Sequence, residues 1–336
     1  MRLLGGGENL RKGLLSGWPW RARAEGSTLA LTLNENSLRY VLASTSDERG
    51  ATLAAWGTEL RGNQTREAFV KRVKTILPTA GRVIGVLDSR DYQILQIESP
   101  NVPPEELQSA VRWRAMEFVE GAALDYTLDV LPVGGESARA ANVIAVVAHN
   151  DIVRARMLDC EALGRPLSVI DVAETALRNI LHAVLLVESA APNVAAALVA
   201  DRGRALLIIS VQGQLYFFRR FEFDTDILAA VDDIQSELIG NDAGAEAVLR
   251  SLTQLHRSLD LWDDIYPHLP LGTFRVDAGA KTAAIIERLT TETGTETRPL
   301  ALSTIFKVPV SRAPSPWLDA AYLPLLGALL RPVPVQ

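Results

Sequence analysis

The chain has 336 residues, 48% of them apolar, with 40 acidic against 34 basic side chains and a formal charge of -6. That length and apolar share suit a large buried core in about two domains and exclude a disordered chain, and the acidic balance excludes wholesale nucleic-acid binding. The single cysteine, Cys160, excludes an internal disulfide and is expected inside a helix, as a small buried hydrophobe in a reducing compartment.

Residues 1–26 stand apart from the rest. Arg2, Arg11, Lys12, Arg21 and Arg23 are interleaved with Leu3, Leu4, Leu10, Leu14, Leu15, Trp18 and Trp20. A signal peptide would show a continuous apolar run and a small-residue cleavage site, and neither occurs. Basic residues mixed with tryptophan and leucine suit an anionic membrane surface. Against that, Gly5-Gly6-Gly7, Gly13 and Gly17 oppose a continuous helix and favour a plain flexible basic extension. The longest apolar runs, such as 198–211, are broken by Asp201, Arg202 and Arg204, so no segment reaches the roughly 18 to 20 residues of a spanning helix.

From Thr28 onward the apolar period shortens. Runs at 29–33, 38–43 and 52–56, with turn residues between them, predict three antiparallel strands. Phe69, Val70, Val73, Ile76 and Leu77 then fall at helical spacing and stop at Pro78, which predicts a helix over 66–77, followed by a strand at 82–87. A separable unit comes next, with strands at 92–98, 126–131 and 142–147 and helices at 103–119 and 151–163. Pro103 and Pro104 suit the first turn of the former helix, where their missing N–H groups would have no partner.

The first order of elements returns later, with strands at 194–200, 204–211 and 215–219 and a helix over 225–239. A helix at 245–266, a strand at 273–276, a helix at 281–289 and a closing helix at 318–330 complete the chain, the last kinked or restarted by Pro324. The expected architecture is α/β, a duplicated unit with an inserted α+β subdomain. Residues 27–90 with 164–193 form the first unit, 91–163 the inserted subdomain and 194–331 the second unit.

Particular residues sharpen this. Gln96-Ile97-Glu98-Ser99-Pro100-Asn101-Val102-Pro103, then Glu105-Glu106-Leu107 and Val111-Arg112-Trp113-Arg114, resemble the inserted subdomain of the MshI/PilM family. The runs Asp171-Val172-Ala173-Glu174-Thr175-Ala176-Leu177-Arg178-Asn179, Leu255-His256-Arg257-Ser258-Leu259-Asp260 and Ala321-Tyr322-Leu323-Pro324-Leu325-Leu326-Gly327-Ala328-Leu329-Leu330-Arg331 extend that resemblance over nearly the whole chain. The resemblance implies an actin-like, ribonuclease H-like duplicated fold. It also implies a cytoplasmic scaffold at the inner-membrane assembly platform of a type IV, MSHA-type pilus in a Gram-negative bacterium. The implied partner is a PilN-like bitopic inner-membrane protein, its cytoplasmic peptide lying extended against residues 92–119, bounded by Tyr92 and Val119. Self-association and peripheral membrane contact through the N-terminus are further contacts the sequence allows.

In active members of the actin-like superfamily each hairpin opens with Asp-x-Gly, the carboxylate holding Mg²⁺ through water and the glycine letting backbone N–H groups approach the phosphates. Here the second hairpin keeps the pattern as Asp201-Arg202-Gly203, while the first reads Thr32-Leu33-Asn34. Asn34 can take a left-handed conformation, yet its side chain is expected to crowd a phosphate, and the adjacent Glu35 should point elsewhere. The adenine-side turn, a glycine pair in nucleotide-binding relatives, reads Asp277-Ala278-Gly279-Ala280, and a second glycine pair is replaced by Phe221-Glu222-Phe223-Asp224-Thr225. The candidate nucleotide contacts are therefore Thr32, Asn34, Asp201, Gly203 and Gly279, with Asp201 as the one candidate metal ligand. By itself Asp201-Arg202-Gly203 is also an ordinary strand turn. The reading is a degenerate ATPase with no catalytic residue and neither ATP nor Mg²⁺ as a working cofactor. The alternative is a nucleotide-dependent switch or ATPase in the same machinery.

Other chemistries lack support. His149, His182, His256 and His268 are scattered without metal spacing, and neither GxxxxGK[ST] nor GxSxG occurs. The acidic pairs Glu105-Glu106, Asp232-Asp233 and Asp263-Asp264 lie on consecutive helical positions that face different directions. Arg219 and Arg220, beside Phe217, Phe218 and Phe221, read as a solvated strand end in preference to a basic rim on a cleft.

Overall fold

The computed structural model describes residues 26–133, 142–188, 193–234, 242–309 and 315–332. The basic N-terminal extension and the membrane contact expected of it thus fall, Gly26 apart, outside the described residues.

The two-residue period builds the first unit as expected. β1 (Thr28–Leu33), β2 (Ser37–Asp47) and β3 (Gly50–Leu60) pair in antiparallel order. Leu29, Leu31, Leu33, Leu38 and Tyr40 point to one face and pack with Phe69, Val73 and Leu77, while Ala30, Val41, Ala43 and Leu53 point to the other face and the main core. α1 (Arg66–Ile76) carries the first two of those packing residues, Phe69 and Val73. Thr65 caps it by accepting from the Ala68 N–H, and the helix stops at Leu77 because Pro78 follows. β4 (Arg82–Val86) pairs in parallel with β1.

The inserted subdomain follows, with β5 (Gln93–Glu98), α2 (Pro104–Ala115), β6 (Tyr126–Pro132), β7 (Asn142–His149) and α3 (Asn150–Ala162). Its sheet runs β5-β7-β6, with β7 antiparallel to both neighbours. Val143, Ala145 and Val147 face Val111 and Ala115 of α2, whereas the alternate residue Ile144 joins the main core. α2 is shorter than predicted and gives way to a 3₁₀ turn at Met116–Phe118. Cys160 is buried on α3, and burial pushes its thiol up to about 12.

β8 (Val169–Asp171) adds in parallel to β4, and α4 (Ala173–Val187) leads across to the second unit. There β9 (Val194–Asp201), β10 (Arg204–Val211) and β11 (Gln214–Glu222) form antiparallel hairpins. They are followed by α5 (Thr225–Ile234), α6 (Asp242–Ile265), β12 (Thr273–Asp277), α7 (Thr282–Thr293) and β13 (Thr297–Pro299). The last part of the helix expected over 225–239 lies outside the described residues.

The strand order β11-β10-β9-β12-β13 repeats β3-β2-β1-β4-β8, in each case three antiparallel strands followed by two parallel ones. A duplicated sheet of this order is the ribonuclease H-like unit doubled, and the fold is actin-like α/β.

The end of the chain departs from the expected division. After α8 (Leu302–Ile305), β14 (Phe306–Lys307) pairs in parallel with β3, so the sheet of the first unit has six strands among the described residues. α9 (Leu323–Leu329) packs on α4, β1, β2 and β4. The terminal stretch expected in the second unit, 194–331, therefore returns to the first. Pro324 sits in the first turn of α9, where it starts the helix and kinks nothing. Gly327 allows a close helix contact, since a Cβ there would lie 2.1 Å from the Ala176 carbonyl oxygen. Between the sheets, Leu177, Ile180, Leu181 and Val184 of α4 share one continuous core with Leu207, Ile209, Leu326 and Leu329.

Candidate functional site

The two units face each other across a cleft of about 700 Å³, whose lining includes Thr32, Asp88 and Arg90 from the first and Asp201, Arg204 and Arg220 from the second. Of the five candidate nucleotide contacts, Thr32 and Asp201 line this cleft. Asn34, Gly203 and Gly279 are not among its walls.

The first hairpin is closed by its own side chains. Asn34 Oδ1 accepts from the backbone N–H groups of Asn36 at 3.0 Å and Ser37 at 2.8 Å, and from the Ser37 hydroxyl at 3.1 Å. This is an Asx turn, in which the side chain closes the hairpin without the left-handed conformation that Asn34 can take. The side chain is held in its own turn and faces a smaller cavity shared with Glu35, Asp91 and Arg156. Glu35 lines that cavity, away from the cleft walls. One residue pair earlier, the Thr32 hydroxyl donates to the Val86 carbonyl of the neighbouring strand at 2.9 Å.

The second hairpin is closed by the backbone. Arg202 and Gly203 have φ of +49° and +77°, the pair of left-handed residues that a two-residue type I′ turn needs. Gln212 and Gly213 repeat that geometry between β10 and β11, at φ +50° and +78°. A Cβ at Gly203 would meet nothing within 4 Å, so the turn accounts for the glycine without a close approach by any other part of the chain. The carboxylate of Asp201 is 3.6 Å from the Arg202 guanidinium.

The remaining motif positions are also closed by local contacts. Asp277 Oδ1 accepts from the Gly279 N–H, and Thr282 accepts from the Ala278 N–H while donating to the Gly279 carbonyl. Burial raises the Asp277 carboxyl above its ordinary range, against the lowering effect of that N–H. At the end of β11, Phe221 and Phe223 are buried edge to face, 6.0 Å apart, and Asp224 caps α5 through the N–H groups of Asp226 and Ile227.

Sequence reasoning missed a buried carboxylate paired with the cleft-wall residue Arg220. Glu174, in the first turn of α4, is fully buried. Its Oε2 accepts from the Tyr92 hydroxyl at 2.7 Å, and its Oε1 lies 2.6 Å from Arg220 Nη2, off the line of a good hydrogen bond. Arg220 also donates to the Tyr92 hydroxyl and lies over its ring, 5.1 Å from the centroid. Arg220 is thus an ion-paired residue of the cleft wall and corrects the expectation of a solvated strand end. Burial, then the charge of Glu174, pushes the Tyr92 phenol up. A lone carboxylate in the apolar run 173–187 was the available signal, because such a group must be paired when buried.

Two further pairs of charges line the cleft, Asp201 with Arg202 and Asp88 with Arg90. Arg90 lies 3.0 Å from Asp88 and holds that carboxyl below its ordinary range. Among the described residues no group of three histidine, cysteine, aspartate or glutamate side chains is placed to hold a metal ion. No helix among them is long and apolar enough to cross a membrane.

The stretch 92–119 offers a strand edge and exposed apolar side chains. β5 pairs only with β7 among the described residues, leaving its other edge open, and Trp113 and Phe118 are 73% and 60% exposed.

No family model matches this sequence, and no curated protein matches it. The fold of the chain is actin-like. A solved structure described as the PilM-PilN type IV pilus biogenesis complex is similar over 90% of this chain and 97% of its own, with a TM-score of 0.63 at 17% identity. At that identity the likeness defines the fold. Two further structures align with a TM-score of 0.46 each. One is the cytoplasmic domain of EpsL, an inner-membrane component of the type II secretion system of Vibrio cholerae, at 11% identity over 90% of this chain and 94% of that one. The other is a protein of actin-like ATPase fold and unknown function from Bacteroides thetaiotaomicron, at 10% identity over 85% and 93%.

Proposed function

We propose that this chain is an interaction protein of the MshI/PilM kind, a scaffold at the cytoplasmic face of the inner membrane that serves the assembly platform of a type IV, MSHA-type pilus. Its cleft is a structural relic, and it is a pseudo-ATPase. The observation that carries this reading is the closure of the cleft's hairpin positions by contacts within the chain. Thr32 has no carboxylate and donates to Val86, Asn34 is bound into its own turn, and Asp201 lies beside Arg202. A magnesium-bridged nucleotide needs carboxylates facing it from the hairpins, and the hairpins here offer one, already beside a guanidinium. The fold likeness to the PilM-PilN structure supports the assignment to pilus machinery.

The partner in this reading is the cytoplasmic tail of a PilN-like bitopic membrane protein, laid extended along the open β5 edge and the exposed side chains of residues 92–119. A synthetic peptide of that tail should bind the purified protein and raise its melting temperature through linkage. No binding at high micromolar peptide would remove the partner assignment. The nucleotide-dependent switch is the second reading, favoured by Asp201 still facing the cleft.

A further inference from the structure

We infer that Arg220 is a charge latch. Its guanidinium, carried by the second unit at the cleft wall, is the counter-ion of Glu174, buried in the first, and their pairing at Tyr92 ties the two units together there and fixes the root of the inserted subdomain.

Three segments that are distant in sequence meet at this point. Glu174 comes from the first turn of α4, Arg220 from the penultimate pair of residues of β11, and Tyr92 from the residue preceding β5, where the inserted subdomain begins. The carboxylate is fully buried, so its charge must be neutralised within the protein. The Tyr92 hydroxyl supplies a hydrogen bond but no charge, and among the described residues the one cation in ion-pair contact with Glu174 is Arg220, at 2.6 Å. Tyr92 in turn accepts from the Ala173 N–H at 3.1 Å, which ties the phenol to the start of α4. A second guanidinium nitrogen reaches the Ser89 carbonyl at 3.3 Å, in the loop that joins β4 to the inserted subdomain.

The arrangement makes opening costly at one place. Beneath the cleft the core runs continuously through α4 from one sheet to the other, so the base cannot part without exposing apolar surface. At the cleft wall, any movement of β11 away from residues 89–92 strips a buried carboxylate of its counter-ion. The guanidinium side chain is 34% exposed and the carboxylate 0%, so the arginine is the member that can leave towards solvent. The latch is made entirely of the chain's own side chains, and it forms without a partner peptide.

Hydrogen exchange of the full chain, followed by mass spectrometry, tests this without any ligand or partner. In Arg220→Ala, amides of residues 87–92 and 219–224 should exchange about tenfold faster or more, while the centres of β1 and β9 keep their protection. Arg220→Lys, which retains the charge, should recover part of that protection. Tyr92→Phe, which keeps the ion pair and removes the bridging hydroxyl, should raise exchange in the same two segments by a smaller factor, and it serves if Arg220→Ala does not fold. Unchanged exchange in both segments in the variants that fold would overturn the latch. Acceleration spread evenly over the sheet centres would overturn it as well, because Arg220 would then be an ordinary stabilising residue. Tail-peptide binding is measured separately, so failure of the partner assignment leaves this result standing.

Discussion

The two hairpins that face each other across the cleft occupy equivalent places in the duplicated unit and are closed by different chemistry. In the first, the amide oxygen of Asn34 gathers three donors and Thr32 donates to the next strand. In the second, the backbone itself turns, through Arg202 and Gly203 at positive φ. One topology is thus compatible with two ways of closing a turn, and they leave different atoms over. The side-chain solution occupies the polar groups that could have met a ligand, whereas the backbone solution leaves a carboxylate at the cleft, beside Arg202.

The largest expected effect separates turn strain from crowding. Gly213 and Gly203 sit in turns of the same type, but a Cβ at Gly213 would lie 2.5 Å from His182 Nδ1, while one at Gly203 meets nothing within 4 Å. Gly213→Ala should cost about 3 kcal/mol, combining backbone strain with overpacking. Gly203→Ala should cost about 1.5 kcal/mol from the backbone alone. Urea denaturation of the two variants measures the difference, and equal losses would contradict the account of Gly203 as a turn glycine.

Thr32→Asp puts a carboxylate on the first hairpin, as Asp201 stands on the second. Because it cannot donate to the Val86 carbonyl, it should destabilise by about 2 kcal/mol and restore no ligand binding. A neutral or stabilising result would show that the hydroxyl bond is dispensable. At the neighbouring position, Asn34→Ala should cost about 1 kcal/mol, since three donors lose their acceptor at an exposed turn. Asn34→Asp, which keeps the acceptor, should stay close to wild type. Thermal melts of that pair test whether the oxygen or the residue's conformational tolerance closes the turn.

The smallest effect concerns His182, which packs against the second turn of the β9–β11 meander. Burial is the main cause that depresses its imidazole below the ordinary value of about 6.5, assisted by Arg178 and opposed by Glu48. Below that value the unfolded chain binds the proton more readily than the folded one, so stability falls with falling pH. The contribution is intact above about pH 6.5 and is lost as the pH drops through the folded value. Denaturation midpoints of the wild type and His182→Gln should converge or cross as the pH falls from 7 towards 5, and a constant separation would remove this residue from the account.

Much of the fold was legible because its signals are local. The alternation in β1 to β3 and again in β9 to β11, the stop at Pro78 and the helix spacing of Phe69 and Val73 each lie within a dozen residues. Three pairings were not legible. β8 and β13 have three residues each and β14 has two, too few to show a period. The return of β14 and α9 to the first unit depends on contacts across almost the entire chain, such as Asn179 with the Gly327 carbonyl. The motif positions themselves could be read, and the structure adds what each polar atom is bonded to. It was those bonds that kept Asn34 out of the left-handed region and turned Arg220 from a solvated residue into the partner of Glu174.

The central claim is that the cleft no longer holds nucleotide, and isothermal titration of ATP with Mg²⁺ into the purified chain, beside an Asp201→Ala variant, tests it most directly. The account predicts no binding heat from either protein at millimolar nucleotide. Micromolar binding by the wild type, abolished in Asp201→Ala, would contradict it and make the nucleotide-dependent switch the correct reading of this fold.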